Sequence, residues 1–122
     1  MIGMLKGQIE DKKGTSLVIM VSGVGYLVQV PIKTATQIKI NQTLKLFIHT
    51  VVREDELSLY GFITQAELNL FEMLLGVPGI GPKTALTIVD RGVNNIEEAI
   101  TQARIADFRR KDRKSIKTHS HR

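Results

Sequence analysis

Two glycines that lie one residue apart, with a proline on either side, restrict the fold of this chain more than any other feature. They occur in the stretch Val77–Leu86, which reads V-P-G-I-G-P-K-T-A-L. A segment with helical apolar spacing, residues 64–75, precedes the stretch, and a second predicted helix runs from Pro82 to about Asp90. Proline suits the first position of a helix, and glycines let the backbone approach a ligand closely. The stretch therefore predicts two helices joined by a tight turn.

The same stretch predicts an anion site at the start of the second helix. We expect Gly79, Ile80 and Gly81 to direct free N–H groups past that helix start, where the positive end of the helix dipole lies. Lys83 and Thr84 add an ammonium and a hydroxyl in the first turn. The pattern fits a helix-hairpin-helix that grips a DNA phosphate without reading base sequence. A plain helical hairpin is the alternative, but P-G-I-G-P-K-T contains more than a turn requires.

Two other phosphate-binding motifs fail at this position. A Walker A loop requires G-x-x-x-x-G-K-[ST]. Gly76 and Gly81 have its spacing, but Pro82 separates the second glycine from Lys83. The third glycine of a dinucleotide-binding motif would fall at Thr84. We therefore predict no ATP hydrolysis, no catalytic residue and no cofactor.

The length and composition allow a small apolar core. The 122 residues suffice for one domain or two very small ones, and 43% of them are apolar. No apolar run is long enough to span a bilayer, and residues 1–9 lack the apolar stretch of a signal peptide. The absence of cysteine excludes disulfides and thiolate zinc sites and makes the cytoplasm the expected location.

The net charge of +5 is concentrated at one end of the chain. Residues 1–103 contain 9 Lys/Arg and 10 Asp/Glu, whereas residues 104–122 contain 8 and 2. The basic balance therefore does not by itself indicate a nucleic-acid partner. Residues 109–122 lack apolar periodicity and are expected to form a disordered basic tail. The tail is either a solvated end or a nonspecific phosphate contact at low salt.

Residues 1–62 carry the apolar runs and turn signals of β structure, which predict the first part of a two-domain β + α fold. Short strands with hairpin-like connections favour a five-stranded OB-like barrel. The predicted strands are Met1–Glu10, Ser16–Val21, Tyr26–Val30, Leu44–Val52 and Leu57–Phe62, with Lys33–Ile40 as a short helical turn and loop.

Residues 63–108 predict a small helical domain with one helix-hairpin-helix. Thr64–Glu67 is a capping box, which begins a helix, and Gly92 suits the position just after the helix that follows the turn. A third helix is expected from Asn95, with Glu98 in its first turn. Its expected buried side chains are Ala99, Ile100 and Ala103. Three short helices bury little surface, so we expect them to rest on the barrel or on another subunit.

Three adjacent carboxylates, Glu54, Asp55 and Glu56, lie between the fourth and fifth predicted strands. Neighbours on an extended chain point to opposite faces, so they make a weak metal site, and no metal is predicted. No partner for acid–base chemistry is identifiable. Taken alone, the segment is interpreted as a solvated turn.

Four motifs in order resemble the RuvA family, whose members bind Holliday junctions for the bacterial branch-migration motor. The motifs are Met1-Ile2-Gly3 with Leu5 and Gly7, Gly23-Val24-Gly25-Tyr26, Val51-Val52-Arg53-Glu54-Asp55 and Leu59-Tyr60-Gly61-Phe62, with the glycine turn following at the expected place. The resemblance implies an OB-like barrel, a helical domain with two hairpins, and a mobile third domain. It also implies a homotetramer that holds four-way DNA open while the RuvB ATPase, recruited by the third domain, drives branch migration.

The resemblance implies roles for two groups of residues. Glu54 and Asp55 match the family's acidic pin, four copies of which would meet at the crossover and repel phosphates. The residues that match the phosphate-gripping hairpin are Gly79, Ile80, Gly81, Lys83 and Thr84. The implied subunit is a non-catalytic, DNA-binding component of a helicase complex that serves recombination, DNA repair and the SOS response.

The sequence departs from the family pattern after Phe108. A second Pro-Gly-Ile-Gly hairpin would follow there, but Arg109–Ser115 is a charged run. Since the sequence ends at Arg122, we expect the third domain to be absent. We therefore expect a weaker grip on DNA, and RuvB binding is not assured. Two alternatives stay open: a general nucleic-acid-binding module for RNA or single strands, and a truncated subunit that only assembles. Against the first, only 5% of the residues are aromatic.

Overall fold

The computed structural model describes residues 1–92 and, beyond them, residues 98, 100, 101, 104 and 105. Five strands and three helices are assigned within residues 1–92. The strands are β1 (Met4–Lys13), β2 (Ser16–Val21), β3 (Val24–Gln29), β4 (Thr43–Val52) and β5 (Leu57–Phe62). The helices are α1 (Ile32–Gln37), α2 (Gln65–Leu75) and α3 (Pro82–Asp90).

The five strands close into a barrel in the order β1-β2-β3-β5-β4. All neighbours are antiparallel except β3 and β5, which pair in parallel through Val28–Leu59 and Gln29–Tyr60. The first part of β1 pairs with β4 and the later part with β2, and the register shifts between Ile9 and Asp11. Such a bulge bends a strand, which lets β1 serve both neighbours. The expected five-stranded OB-like barrel is confirmed.

Alternation along the strands fills the barrel interior with branched aliphatic side chains. On β4, Leu46 and Ile48 are buried while their neighbours are more exposed. Thr50, the next residue in the same phase, is a buried polar residue whose hydroxyl donates to the Ile2 carbonyl at 2.7 Å. The hydroxyl also accepts from the Ile2 N–H at 3.1 Å, which satisfies this buried polar group.

Helix α1 spans the connection between β3 and β4. Its carboxyl end is held by Lys12, whose Nζ donates to the carbonyl oxygens of Ala35 at 3.0 Å and Ile38 at 2.8 Å. A cation is favourable there because helix C-terminal carbonyls are negative and unpaired. At its amino end, the Lys33 N–H donates to Asp90 Oδ1 of α3 at 2.7 Å. This short helix therefore links the barrel to the helical hairpin.

The ends of α2 and α3 follow from local sequence. The Thr64 side chain accepts from the Glu67 N–H at 3.2 Å and donates to the Glu67 carboxylate at 2.8 Å, so the predicted helix start is confirmed. Gly92 has a positive φ of 71° directly after the C-cap Arg91, as expected of a terminating glycine. No helix among the described residues is long and apolar enough to cross a membrane.

Helices α2 and α3 pack on the outer face of the barrel. Phe71 of α2 is fully buried, and its ring centroid lies 5.0 Å from that of Phe62 and 5.3 Å from that of Tyr60, both on β5. This second core also contains Leu68, Leu74, Ile80, Ala85, Ile88 and Val89. For α2 and α3, the expectation that the helices rest on the barrel or on another subunit is met by the barrel.

Several element boundaries differ from the sequence-based expectation. β1 begins at Met4 rather than Met1 and continues to Lys13, because the polar residues of its second half still pair with β2. The turn before β3 is Ser22-Gly23, with φ of 49° and 82°, so β3 begins at Val24. Two successive positive φ values are typical of a tight type I′ hairpin.

The third predicted helix is only partly covered by the described residues. Residues 98, 100, 101, 104 and 105 are helical. Asn95, Ala99, Ala103 and the whole basic tail lie outside the described residues. The division at residues 62 and 63 stays a prediction; Ile63 and Thr64 connect β5 to α2 there.

Candidate nucleic-acid interface

The glycine turn between α2 and α3 is closed by its own backbone. The Val77 N–H donates to the Leu74 carbonyl at 3.0 Å, and the Ile80 N–H donates to the Val77 carbonyl at 3.1 Å. Gly79 has a φ of 86°, which a residue with a side chain adopts at a cost. The turn therefore requires glycine at position 79.

Ile80 stabilises the turn rather than offering a free amide. Its N–H is used within the turn, and its side chain is buried in the second core with 6% exposed. The expectation that this N–H is free was therefore wrong, because the turn closes on Val77. Any role of Ile80 in DNA binding would be to position the residues that follow it.

The unpaired donors lie at the start of α3. Gly81 is the N-cap, has an extended φ of −94°, and supplies no side-chain cap. Its carbonyl accepts from the Ala85 N–H at 3.0 Å. The N–H groups of Gly81, Lys83 and Thr84 donate to no acceptor within the described residues, as is usual for a first helical turn. Lys83 is exposed, and Thr84 is half-buried beside it.

The acidic segment forms the tip of the hairpin between β4 and β5. The Arg53 N–H donates to the Glu56 carbonyl at 2.8 Å, and the reverse bond is 3.5 Å long, so Glu54 and Asp55 occupy the two tip positions. Both are exposed. In the part of the chain that the structure describes, no Lys or Arg side chain forms an ion pair with them. The tip therefore carries uncompensated negative charge.

A cleft connects the base of this acidic hairpin to the start of α3. Its volume is 380 Å³. The lining residues from the barrel side are Val51, Arg53, Glu56, Ser58 and Tyr60, and those from the helical side are Gly81, Pro82, Lys83 and Thr84. The base of the acidic hairpin and the start of α3 thus border one cleft, whereas the predicted site residues Glu54 and Asp55, at the tip, do not line it.

Sequence reasoning missed Arg53, Ser58 and Tyr60 as members of this surface. A signal for them exists, because Arg53 directly precedes the acidic tip and the other two lie in the outward phase of β5. What the sequence could not supply was the packing of α3 beside β5, which makes this outer strip the wall of a cleft.

The fold and this surface define a class of protein: a closed OB-like barrel that carries a helix-hairpin-helix on its outer face. The family model for the RuvA N-terminal domain matches residues 1–61, and the model for a SAM-like helix-hairpin-helix tandem matches residues 71–118. The chain belongs to the RuvA family. The second match extends into residues 109–118, which the sequence analysis assigned to the basic tail.

Curated relatives carry the name "Holliday junction branch migration complex subunit RuvA". The relative from Pelobacter propionicus is 43% identical over 99 residues, covering 81% of this chain and 48% of the relative. That from Shewanella frigidimarina is 48% identical over 90 residues, covering 73% and 44%. That from Legionella pneumophila strain Corby is 50% identical over 91 residues, covering 73% and 46%. The chain thus spans about half the length of these relatives.

Proposed function

We propose that this chain binds four-way DNA junctions, with the hairpin holding the arms and the acidic pin facing the crossover. The pin is the tip formed by Glu54 and Asp55. The observation that carries the proposal is the cleft between the base of the acidic hairpin and the start of α3, because it sets N–H groups that can bind phosphate next to the hairpin whose exposed tip is negative. A duplex-binding surface would gain nothing from such a charge, whereas a junction has a centre where strands must separate. The name that the relatives carry supports the same function.

The start of α3 supplies the attractive contact. The N–H groups of Gly81, Lys83 and Thr84 converge with the positive end of the helix dipole, and a backbone phosphate is the natural anion for such a site. The Lys83 ammonium and the Thr84 hydroxyl add a charge and a further donor. These groups contact the sugar–phosphate backbone and not base edges, so binding is independent of base sequence.

The pin supplies repulsion. Its carboxylates and the DNA phosphates have like charge, and their repulsion is stronger where protein and DNA exclude water. Strands that enter the centre are therefore turned away from the tip while the hairpins hold the arms. The preference for junctions comes from this balance and not from stronger attraction.

The proposed active form is a homotetramer, in which four pins surround one crossover. The subunit is non-catalytic, acts in the cytoplasm in recombination and repair, and serves a branch-migration complex driven by RuvB. Size-exclusion chromatography with light scattering at micromolar concentration tests the assembly. A mass near four times 13.6 kDa is expected, and a monomer would contradict it.

Binding to four-way, duplex and single-stranded DNA of equal length, measured by fluorescence anisotropy, tests the function. The parent chain is expected to prefer the junction. Glu54→Gln with Asp55→Asn should tighten binding to duplex DNA several-fold and reduce the junction preference, with both effects shrinking as salt rises. The matched control neutralises another exposed pair of adjacent carboxylates, Glu10 and Asp11.

Each other result has a definite meaning. A pin variant that matches the control on all three substrates at every salt concentration would show that the tip is only a solvated turn. Preference of the parent for single strands would indicate a general nucleic-acid-binding module. An absence of binding to every substrate would indicate a subunit that only assembles.

A further inference from the structure

Helix α1 begins without a side-chain cap of its own. Its N-cap residue is Pro31, whose side chain forms no hydrogen bond to the helix backbone. A capping side chain usually accepts from the N–H of the second or third helical residue. In α1 the second residue is Lys33, and its N–H donates to Asp90 Oδ1 at 2.7 Å, across 57 residues of sequence. Asp90 therefore caps α1 from the last position of α3.

An aspartate at the carboxyl end of α3 is unfavourable for α3 itself. This end of a helix carries the negative end of the dipole, where a basic side chain is stabilising and an acidic one is not. Aspartate also has a lower helix propensity than most residues. The last turn of α3 contains no basic residue, and Asp90 is its final residue. The contact with α1, and not the local sequence of α3, therefore explains the carboxylate.

The contact between Asp90 and Lys33 lies between two cavities, and Asp90 lines both of them. One has a volume of 520 Å³ and is lined by Leu86 and Thr87 of α3 and by residues of β3 and β5. The other has a volume of 270 Å³ and is bordered by α1, α2 and the end of α3. The described residues leave both spaces open. The hydrogen bond thus joins α3 to α1 between two regions where close packing does not fix the helix.

We propose that Asp90 is a positioning residue for DNA binding, because it fixes the direction of α3 and so the place of the N–H groups at its start. The inference rests on the proposed function and adds to it a residue that acts without contacting DNA. Buried Ala85 and Ile88 hold the middle of this nine-residue helix in the second core. Asp90 holds one end, and the other end presents Lys83 and Thr84. A rotation about the buried middle moves both ends, so release of Asp90 displaces the N–H groups that bind phosphate.

Asp90→Ala and Asp90→Asn form the test pair. Both remove one negative charge, but the Asn oxygen can still accept from the Lys33 N–H. In Asp90→Ala, DNA binding must restore the helix direction that the hydrogen bond had fixed, so the Kd for a four-way junction should rise about fivefold. Asp90→Asn should bind like the parent or slightly more tightly, since a charge that repels phosphate is lost.

The salt dependence separates positioning from a direct contact. The slope of log K against log salt should be the same for the parent and both variants, because no contact to phosphate is removed. Asp11→Ala is the matched control. Asp11 is exposed, lies on β1, and its carboxylate also accepts a backbone N–H, that of Lys12, at 2.9 Å. This variant removes the same charge and should not weaken binding.

Backbone NMR of the free protein measures the position of α3 without DNA. In Asp90→Ala, the amide signals of Lys33 and of Gly81, Lys83 and Thr84 should shift or broaden, while those of the barrel strands stay in place. In Asp90→Asn all of these signals should stay close to their positions in the parent. A change at Lys33 alone would mean that Asp90 caps α1 but does not position the start of α3.

The outcomes distinguish this inference from the proposed function. If the parent prefers junctions and Asp90→Ala binds them as Asp11→Ala does, Asp90 has no positioning role and the function stands. Equal loss of affinity in Asp90→Ala and Asp90→Asn would also reject the inference, because the charge and not the hydrogen bond would then matter. If the parent binds no DNA, the proposed function fails, and the NMR signals at the start of α3 still decide whether Asp90 positions it.

Discussion

The barrel and the helical hairpin are stabilised in different ways. The barrel closes on itself, so each strand has two hydrogen-bonded neighbours and the interior is filled by its own side chains. Helices α2 and α3 have 11 and 9 residues. Isolated helices shorter than about 12–15 residues are marginal in water. Their core is completed by a side of the barrel, through Phe62 with Phe47 and Tyr60 beside it.

Because of this difference, the folded hairpin depends on the barrel more than the barrel depends on the hairpin. The barrel interior is filled by side chains of the barrel and α1, whereas the hairpin completes its core by docking on β4 and β5. The N–H groups at the start of α3 are therefore held in place by the aromatic contacts between the helical hairpin and the barrel. Substitutions in that contact should change DNA binding without touching a DNA-contacting residue.

Phe71→Ala should have the largest effect. Removing a fully buried phenyl ring that contacts Phe62, Tyr60 and His49 should lower the free energy of unfolding by about 4 kcal/mol. Amide hydrogen exchange should show weakened protection in α2 and α3 with the barrel strands still protected. Met73→Ala, on the exposed side of the same helix, is the control. Equal loss of protection in both regions would mean that they unfold as one unit.

Gly7→Ala tests the barrel in the same way. A Cβ at Gly7 would lie 2.1 Å from the carbonyl oxygen of Met20, a backbone atom that can move only with β2. We expect a loss of about 3 kcal/mol in the free energy of unfolding. Gly3→Ala, which has open space around it, should change little. Here both regions should lose protection, because the hairpin needs the barrel. If the amides of α2 and α3 stayed protected while those of the barrel strands exchanged, the hairpin would not depend on the barrel.

Substitutions in the glycine turn separate stability from binding. Gly79→Val should cost about 1–2 kcal/mol, since its φ is positive, whereas Gly81→Val should cost less because its backbone is extended. Both should weaken DNA binding more than Lys83→Ala does, because a branched side chain screens the helix N–H groups. Chemical denaturation and anisotropy measure the two quantities. A greater loss of affinity from Lys83→Ala would mean that charge, and not the amides, holds the phosphate.

Glu72→Gln should have the smallest effect. Glu72 Oε2 lies 2.8 Å from His49 Nδ1 and joins α2 to β4, but both side chains are partly exposed. Such surface pairs contribute about 0.5 kcal/mol. The midpoint of urea unfolding should decrease slightly. Glu67→Gln, at the start of the same helix, weakens a helix cap and serves as the comparison. A shift as large as that of Phe71→Ala would show that the contact between His49 and Glu72, and not the aromatic contact, docks the helices.

Local signals in the sequence predicted local structure well. Thr64 with Glu67 predicted the start of α2, and Gly92 predicted the end of α3. The apolar run Leu44–Val52 predicted a strand that the structure contains as β4. These succeed because caps and apolar runs depend on neighbours in the chain. The bulge after Ile9 and the hairpin at Ser22 were missed, because polar residues can continue a strand when a partner strand is present.

The candidate site was predictable residue by residue but not as a surface. The motifs indicated the acidic tip and the glycine turn separately. The cleft between the base of the acidic hairpin and the start of α3 depends on the position of α3 next to β5, which is a long-range feature of the fold. The hydrogen bond of the Ile80 amide to Val77 was likewise not expected, since several turn geometries fit P-G-I-G.

Strand β5 faces two cores, with Leu59 and Gly61 turned to the barrel interior and Phe62 turned to the helices. Insertions and deletions should therefore have very different effects along one short stretch of chain. An extra residue at the pin tip lengthens a solvated loop. A single residue gained or lost inside β5 exchanges its two faces, exposes both sets of core side chains and moves the cleft wall with them. The loop at the tip can vary in length, whereas the length of β5 is fixed because the strand packs against a core on each face.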